Sequence, residues 1–166
     1  MNHFYNEINE IIKSKDGKKF GIFVDMDGVI ADYRFGEGKK IMQNEKNVYL
    51  NKRTIYTSIN IFNEISQKVS SDMHIISSCY YASQVAEKNR WLDTYAPFFN
   101  KEYRNFVFSN DFEDRKMKKI NCIKQEMNKY GYEYAILIDD THDVLKLAIS
   151  ELGDKLIPFH VISIFD

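Results

Sequence analysis

The sequence predicts an α/β protein, a Rossmann-like three-layer αβα sandwich with a mainly parallel sheet. Apolar runs of strand length alternate with amphipathic stretches of helical spacing, the pattern of repeated βαβ units. Two of these runs, 20–24 and 134–138, are apolar throughout, which is typical of parallel strands covered by helices on both faces. Both end in aspartates. The crossovers between such strands are right-handed and bring the strands into one sheet.

The elements follow one another along the chain. Apolar residues at helical spacing predict helices over 4–15, 57–68, 82–95, 116–130 and 144–152. Apolar and aromatic runs predict strands over 20–24, 73–76, 103–108, 134–138 and 159–164. Residues 33–56 begin with a stretch that lacks clean periodicity, and we expect them to form a small cap or lid inserted after the first strand. The whole chain, 1–166, is predicted to be a single domain.

The composition argues against several classes of protein. The 23 basic and 24 acidic residues give a net charge of −1, which argues against a strongly basic nucleic-acid surface but allows a nucleotide substrate. Two cysteines are too few for a disulfide framework or a dedicated zinc site. No apolar run approaches the roughly 20 residues that cross a membrane, and residues 1–19 lack a secretory core. We therefore expect a cytoplasmic protein with no membrane partner; the sequence does not predict its oligomeric state.

Reactive side chains follow four of the predicted strands. In chain order they are Asp25 and Asp27, Ser77 and Ser78, Lys116, and the pair Asp139 and Asp140. The carboxyl ends of parallel strands face one crevice, where open α/β sheets bind ligands. Carboxylates there could share a Mg²⁺ ion, which prefers oxygen ligands, and Gly28 would let the backbone turn sharply beside an anion. Basic residues at the start of a helix oppose its dipole, so Lys116 and its neighbours hint at a bound anion.

This series of residues resembles the four motifs of the haloacid dehalogenase-like (HAD) hydrolases. The run Asp25-Met26-Asp27-Gly28-Val29 is similar to their first motif, Asp-x-Asp-Gly-[Val/Thr]. The resemblance extends over residues 20–143 and implies a HAD-type phosphatase, a Mg²⁺-dependent phosphomonoester hydrolase. The combination is far more specific than its first motif alone.

The resemblance implies two catalytic residues and a metal site. Asp25 would be the nucleophile that forms an aspartyl-phosphate, and Asp27 would protonate the leaving oxygen and then deprotonate the attacking water. Mg²⁺ would bind Asp25, the backbone carbonyl of Asp27 and a carboxylate of the later pair. Asp140 is favoured as that direct ligand, with Asp139 or Asp143 orienting the site. The choice between Asp139 and Asp140 stays open.

The resemblance also implies a phosphate-binding set. Ser77, with Ser78 beside it, would hydrogen-bond the phosphoryl oxygens, and Lys116 would neutralise their growing charge. Lys118 and Lys119 lie within a turn of Lys116, so the sequence leaves the identity of the phosphate lysine open, with Lys118 the alternative.

The closer resemblance is to one branch, the 5'(3')-deoxyribonucleotidases. Residues 25–33 are similar to their Asp-Met-Asp-Gly-Val-Leu-Ala-Asp-Phe, and residues 139–143 have their Asp-Asp-x-x-Asp spacing. Two departures are Cys79, where that branch usually has proline, and a segment after Asp32 that is short for its cap. The implied partner is a small phosphorylated substrate, a nucleotide. The alternatives are another phosphometabolite or a nucleic-acid 3'-phosphate.

Two non-enzymatic alternatives make predictions that the sequence can test. A metal-binding receiver domain places its acid pair at the first strand and its phosphoacceptor on a later strand, the opposite of the order found here. A catalytically inactive regulatory relative predicts loss of Asp25 or Asp27, and both are present. The sequence therefore favours the enzyme.

Overall fold

The computed structural model describes residues 3–165, and its five strands form one parallel sheet in the order β3-β2-β1-β4-β5. The strands are β1 (Phe20–Val24), β2 (Asp72–Cys79), β3 (Arg104–Phe108), β4 (Tyr134–Asp139) and β5 (Leu156–His160). The α-helices are α1 (His3–Ser14), α2 (Glu37–Met42), α3 (Tyr56–Lys68), α4 (Ala82–Tyr95), α5 (Phe112–Tyr130) and α6 (His142–Leu152). The predicted α/β class with a parallel sheet is confirmed. Within residues 3–165, no helix is both long and apolar enough to span a lipid bilayer.

The central strand β1 is buried on both faces because its side chains alternate between two cores. Ile22 and Val24 pack with residues of α1, α3 and α4, whereas Phe23 packs with residues of α5 and α6. Gly21 of β1 has no side chain and leaves space for the Tyr132 ring, which an added Cβ would approach to 2.6 Å. Helices therefore cover both faces of the sheet, and the residues after β1 emerge at its centre.

Helix α5 begins at Phe112, four residues before the predicted start. Asp111 caps it, since its carboxylate accepts a hydrogen bond from the backbone N–H of Asp114 at 2.8 Å. The first turn carries Glu113 and Asp114, whose charges suit the positive end of the helix dipole. The prediction that Lys116 stands at the helix start was wrong, and with it the argument that basic residues oppose the dipole there.

The last strand was also predicted too far along the chain, over 159–164. The strand β5 ends at His160, and Val161–Phe165 form a 3₁₀-helix. Val161 and Ile164 are both buried, and their spacing of three residues matches one 3₁₀ turn. As an edge strand β5 accommodates Pro158, which lacks a backbone N–H.

Candidate active site

Three carboxylates meet where the neighbouring strands β1 and β4 end. Asp25 directly follows β1, Asp139 is the last residue of β4, and Asp140 follows it. One oxygen from each of the three lies within 4.8 Å of the others, close enough for all three to hold one cation. Asp25 and Asp139 are buried and Asp140 is half-buried. The sheet order, which places β4 beside β1, brings these acids together from opposite ends of the chain.

Lys119 of α5 contacts two of the three carboxylates. Its Nζ lies 3.0 Å from Oδ1 of Asp25 and 2.9 Å from Oδ2 of Asp139. Burial raises the pKa of Asp25 and outweighs the opposing effect of Lys119, while the nearby Asp139 and Asp140 raise it further. Burial alone would lower the pKa of Lys119, but the two carboxylates raise it above its ordinary value. Two of the three acids thus share one ammonium group, and a further positive charge would be attracted to the cluster.

The hydrogen bonds of the acid pair distinguish its two members. Asp139 uses both oxygens, because Oδ2 accepts from Lys119 and Oδ1 accepts from the backbone N–H of Thr141 at 2.9 Å. Asp140 accepts from the Thr141 hydroxyl through Oδ1 at 3.1 Å, and no hydrogen bond from residues 3–165 reaches its Oδ2. Asp140 also lines the pocket described below. Of the acid pair, Asp139 is thus held by Lys119 and by the turn at Thr141, whereas Asp140 keeps one oxygen without a hydrogen bond from residues 3–165.

Gly28 packs closely against the carboxylate of Asp140. Its φ of +82° lies in the left-handed region, and an added Cβ would stand 2.1 Å from Oδ2 of Asp140. Gly28→Ala is expected to weaken Mg²⁺ binding at least about tenfold, because Asp140 must move and the backbone is strained. Isothermal titration with MgCl₂ measures this. Gly36→Ala is the matched control, because its φ of +84° imposes similar strain but no atom lies within 4 Å of its Cβ. Equal effects of the two substitutions would contradict the prediction.

Asp27 lies between two buried lysines that the sequence analysis did not assign to the site. Lys88 Nζ is 2.6 Å from its Oδ2, and Lys52 Nζ is 3.1 Å from its Oδ1. Burial would raise the pKa of Asp27, but the two ammonium groups outweigh it and lower the pKa below its ordinary range. In this arrangement the Asp27 carboxylate is held ionised by the two ammonium groups beside it.

Lys88 organises several of the predicted residues. It is 0 % exposed, and its Nζ also donates to the Ser77 hydroxyl at 2.7 Å and to the Ser78 carbonyl at 2.9 Å. Ser77 is buried behind the pocket, whereas Ser78 lines it. A signal for Lys88 was present in the sequence, because it falls on the buried stripe of α4 with Gln84 and Trp91.

Lys88→Met is expected to lower the free energy of unfolding by about 3–5 kcal/mol, because it leaves part of a buried ion-pair network without its cation. Urea denaturation measures this. Lys68→Met is the matched control; Lys68 pairs with Glu64 on the surface, so its loss should cost less than about 1 kcal/mol. A Lys88→Met protein that is as stable as the control would contradict the network described here.

The other predicted residues separate into those at the pocket and those away from it. Lys116 lines the pocket, with its Nζ 2.7 Å from the exposed Glu113. Lys118 points elsewhere, donating to the Phe108 carbonyl at 2.8 Å and pairing with Asp114.

Asp143 is exposed in the first turn of α6 and does not line the pocket. It is Lys119, not one of the two favoured lysines, that contacts Asp25.

These groups surround a pocket of about 350 Å³ above the carboxyl ends of the strands. Asp25, Asp27 and Lys119 form its acidic and basic floor. Aromatic and basic side chains form its walls and rim: Tyr33, Tyr49, Tyr80, Phe112 and Arg115. The pocket therefore combines charged groups at its base with flat apolar surfaces at its mouth.

The segment between β1 and α3 supplies one wall of the pocket. Several hydrogen bonds attach it to α4 and the preceding turn: Tyr81 Oη donates to the Met42 carbonyl at 2.7 Å, and Gln84 Nε2 donates to the Ile41 carbonyl at 2.9 Å. The Glu87 carboxylate accepts from two backbone N–H groups of the segment at 2.8 and 3.0 Å. The predicted lid function of 33–56 stays a prediction.

The chain was compared with protein-family models, curated proteins and known structures. No protein-family model matches the chain, and no curated protein matches its sequence. Thirteen chains of known structure match. One chain of the Pnkp1/Rnl/Hen1 complex aligns with 87 % of the present protein, with a TM-score of 0.62 and 14 % sequence identity. The aligned region covers only 47 % of the matched Pnkp1/Rnl/Hen1 chain, so the present protein spans about half of its length.

Two further structures are HAD domains or phosphatases by name. A class C acid phosphatase from Bacillus anthracis, with tungstate bound, aligns with a TM-score of 0.59 and 15 % identity over 94 % of this chain and 74 % of its own. The HAD domain of the effector protein Lem4 from Legionella pneumophila aligns with a TM-score of 0.54 and 10 % identity over 87 % of this chain and 88 % of its own. The chain thus has a HAD-like fold, with an acidic cluster at the carboxyl edge of its sheet.

Proposed function

We propose that this protein is a Mg²⁺-dependent phosphomonoester hydrolase that acts through an aspartyl-phosphate on Asp25. The observation that carries the proposal is the position of this residue: it follows the central strand, lies at the base of the pocket, and pairs with Lys119 through Oδ1 only. No hydrogen bond from residues 3–165 occupies its Oδ2. That oxygen is free to attack a phosphorus atom in line with the leaving group.

The surrounding residues suit the two chemical steps. In the first, Oδ2 of Asp25 forms a bond to phosphorus while the bond to the leaving oxygen breaks, and the leaving oxygen takes up a proton, from Asp27 when that carboxyl group is protonated or from water in the pocket. In the second, water attacks the same phosphorus, Asp27 accepts its proton, and the Asp25 carboxylate is released. The lysines keep Asp27 in the ionised state from which it can accept this proton, and they also lower its strength as a base. Its predicted role as an acid requires it to gain a proton first. Ser78 and Lys116 line the pocket where phosphoryl oxygens would lie.

The donor set fits Mg²⁺. Asp25 and Asp140 would hold it through carboxylate oxygens, as the surplus negative charge and the free Oδ2 of Asp140 indicate. When bound, the ion would neutralise charge on the phosphoryl group and on the attacking carboxylate. Asp139 would position Lys119 and the turn that carries Asp140.

The proposed substrate is a nucleotide. Aromatic faces at the mouth of the pocket, Tyr33 and Phe112 among them, are suited to stack on a base, and a local cationic contact is enough for a small anion. A nucleic-acid 3'-phosphate is a second candidate. One specific observation favours it: the matched Pnkp1/Rnl/Hen1 assembly is named as an RNA repair complex.

A substrate panel tests the proposal. Release of phosphate would be measured with MgCl₂ and with EDTA on dUMP, dTMP, 5'- and 3'-ribonucleotides, p-nitrophenyl phosphate and a 3'-phosphorylated oligonucleotide. We expect metal-dependent turnover, fastest on a nucleotide. Turnover confined to the oligonucleotide would favour the second candidate. No turnover on any substrate, or turnover unaffected by EDTA, would contradict the proposal.

A further inference from the structure

Three cationic side chains line the pocket, and one of them has no acidic partner. Lys119 pairs with Asp25 and Asp139, and Lys116 pairs with Glu113. Arg115 also lines the pocket, but no carboxylate in the part of the chain that the structure describes pairs with it. Its charge is therefore available to an anion that enters the pocket.

Aromatic side chains hold this arginine in place. Its Nη1 donates to the Tyr80 hydroxyl at 2.8 Å, and its guanidinium lies 4.9 Å from the centroid of the Tyr80 ring. The ring of Phe112 lies 5.6 Å away on the same helix. Such contacts fix the planar guanidinium without neutralising it. A fixed, partly desolvated guanidinium can donate two parallel hydrogen bonds to a phosphate, which gives both affinity and geometry.

Arg115 is placed beyond the reaction centre rather than at it. It precedes Lys119 by four residues on α5, so both side chains lie on one helix face about 6 Å apart along the axis. Lys119 contacts the attacking carboxylate, whereas Arg115 lies beside Phe112, which is 44 % exposed at the rim. Arg115, the cation without a carboxylate partner, thus lies about one helical turn nearer the mouth of the pocket than Lys119 does. This separation is of the order of the length of one nucleotide.

We propose that Arg115 is a specificity-determining residue that binds a second phosphate of the substrate, one nucleotide away from the phosphate that is removed. This rests on the proposed function. The base between the two phosphates would stack on the exposed rings at the rim, Phe112 and the 54 % exposed Tyr33. The substrate class is then a nucleoside bisphosphate or the phosphorylated end of a nucleic-acid strand, both of which carry this second charge.

Matched substrates isolate the second charge. A 3'-phosphorylated thymidine dinucleotide with a natural phosphodiester link would be compared with the same dinucleotide carrying a neutral methylphosphonate link. We expect kcat/KM with Mg²⁺ to be about tenfold or more higher for the charged link, the usual strength of a hydrogen bond to a charged group. Thymidine 3',5'-bisphosphate and thymidine 3'-monophosphate form a second pair that distinguishes a free bisphosphate from a strand end.

Variants assign that preference to Arg115. In Arg115→Gln the ratio of kcat/KM between the charged and neutral links is expected to fall to about one, and Arg115→Lys should restore part of it. Lys124→Gln, which removes a charge on α5 that pairs with Glu151 on the surface, should keep the wild-type ratio. An unchanged ratio in Arg115→Gln would overturn the inference. So would an equal loss on both substrates, because that would place Arg115 on the transferred phosphoryl group.

The proposed function and the role of Arg115 are contradicted by different results. If p-nitrophenyl phosphate is hydrolysed but the wild-type protein does not distinguish the two links, the inference about Arg115 is wrong and the proposed function stands. If no phosphomonoester is hydrolysed, the proposed function fails. The inference is then judged on binding of the two dinucleotides to the wild-type protein, measured by isothermal titration, where equal affinities overturn it.

Discussion

Asp25→Asn is expected to lower kcat for p-nitrophenyl phosphate in MgCl₂ by about 10³-fold or more. An amide cannot serve as the nucleophile, and it is also a poorer ligand for the cation shared with Asp140. The substitution keeps the shape of the side chain and removes one of three crowded carboxylates, so the fold should persist. Steady-state phosphate release measures the effect, and thermal denaturation verifies the fold.

The matched control is Asp154→Asn, which changes an exposed aspartate outside the proposed site. It is expected to retain wild-type turnover. If Asp25→Asn retains turnover within tenfold of the wild-type value, Asp25 is not the nucleophile and the proposed mechanism is wrong.

Lys119→Met is expected both to destabilise the protein and to reduce its activity. Without the ammonium group, Asp25 and Asp139 remain buried with no cation, which typically costs about 3–5 kcal/mol. Lys119 lines the pocket beside Asp25, where the phosphoryl group would transfer, and loss of a cation facing that developing charge typically costs about 10²–10³-fold in kcat. Urea denaturation and steady-state kinetics measure the two effects. MgCl₂ should recover more stability in this variant than in the wild-type protein, because the added ion replaces part of the lost charge.

Lys116→Met provides the comparison for Lys119. Lys116 lies on the same helix, lines the same pocket and is also buried. Within residues 3–165 its ammonium pairs with one carboxylate, that of Glu113, whose side chain is largely exposed and so stays in contact with water. We expect it to lose less than about 1 kcal/mol of stability. A loss of stability in Lys116→Met as large as that in Lys119→Met would contradict the assignment of Lys119 as the buried partner of Asp25.

The framework of this fold could be predicted from local patterns. The apolar strand β1 and the strand β4 both end in acids, and a parallel sheet brings the ends of adjacent strands together. Asp25 and the pair after β4 were therefore predicted as neighbours without any structure. The preference for Asp140 over Asp139 as a metal ligand agrees with their hydrogen bonds but is not yet tested.

The lysines were harder to predict because their roles depend on contacts between distant parts of the chain. Lys119 falls on the buried stripe of α5, beside Ile120 and Ile123, so helical periodicity could have singled it out. The prediction named Lys116 but left the choice open, because Lys118 and Lys119 lie within a turn of it. The cap at Asp111, which sets where the helix begins, was missed. Lys52 carries no comparable signal: it lies in an irregular segment, and only the packing of that segment brings it to Asp27.

A burst experiment on Asp27→Asn shows directly whether Asp25 becomes phosphorylated during turnover. The p-nitrophenolate anion leaves without a proton, so Asp25 should still be phosphorylated, while hydrolysis of the aspartyl-phosphate lacks its base. Rapid mixing with p-nitrophenyl phosphate and MgCl₂ is expected to show a burst of about one p-nitrophenol per enzyme, followed by slow release, and the burst should vanish in the double variant Asp25→Asn/Asp27→Asn. Linear release without a burst in Asp27→Asn, or a burst that survives in the double variant, would contradict an aspartyl-phosphate on Asp25.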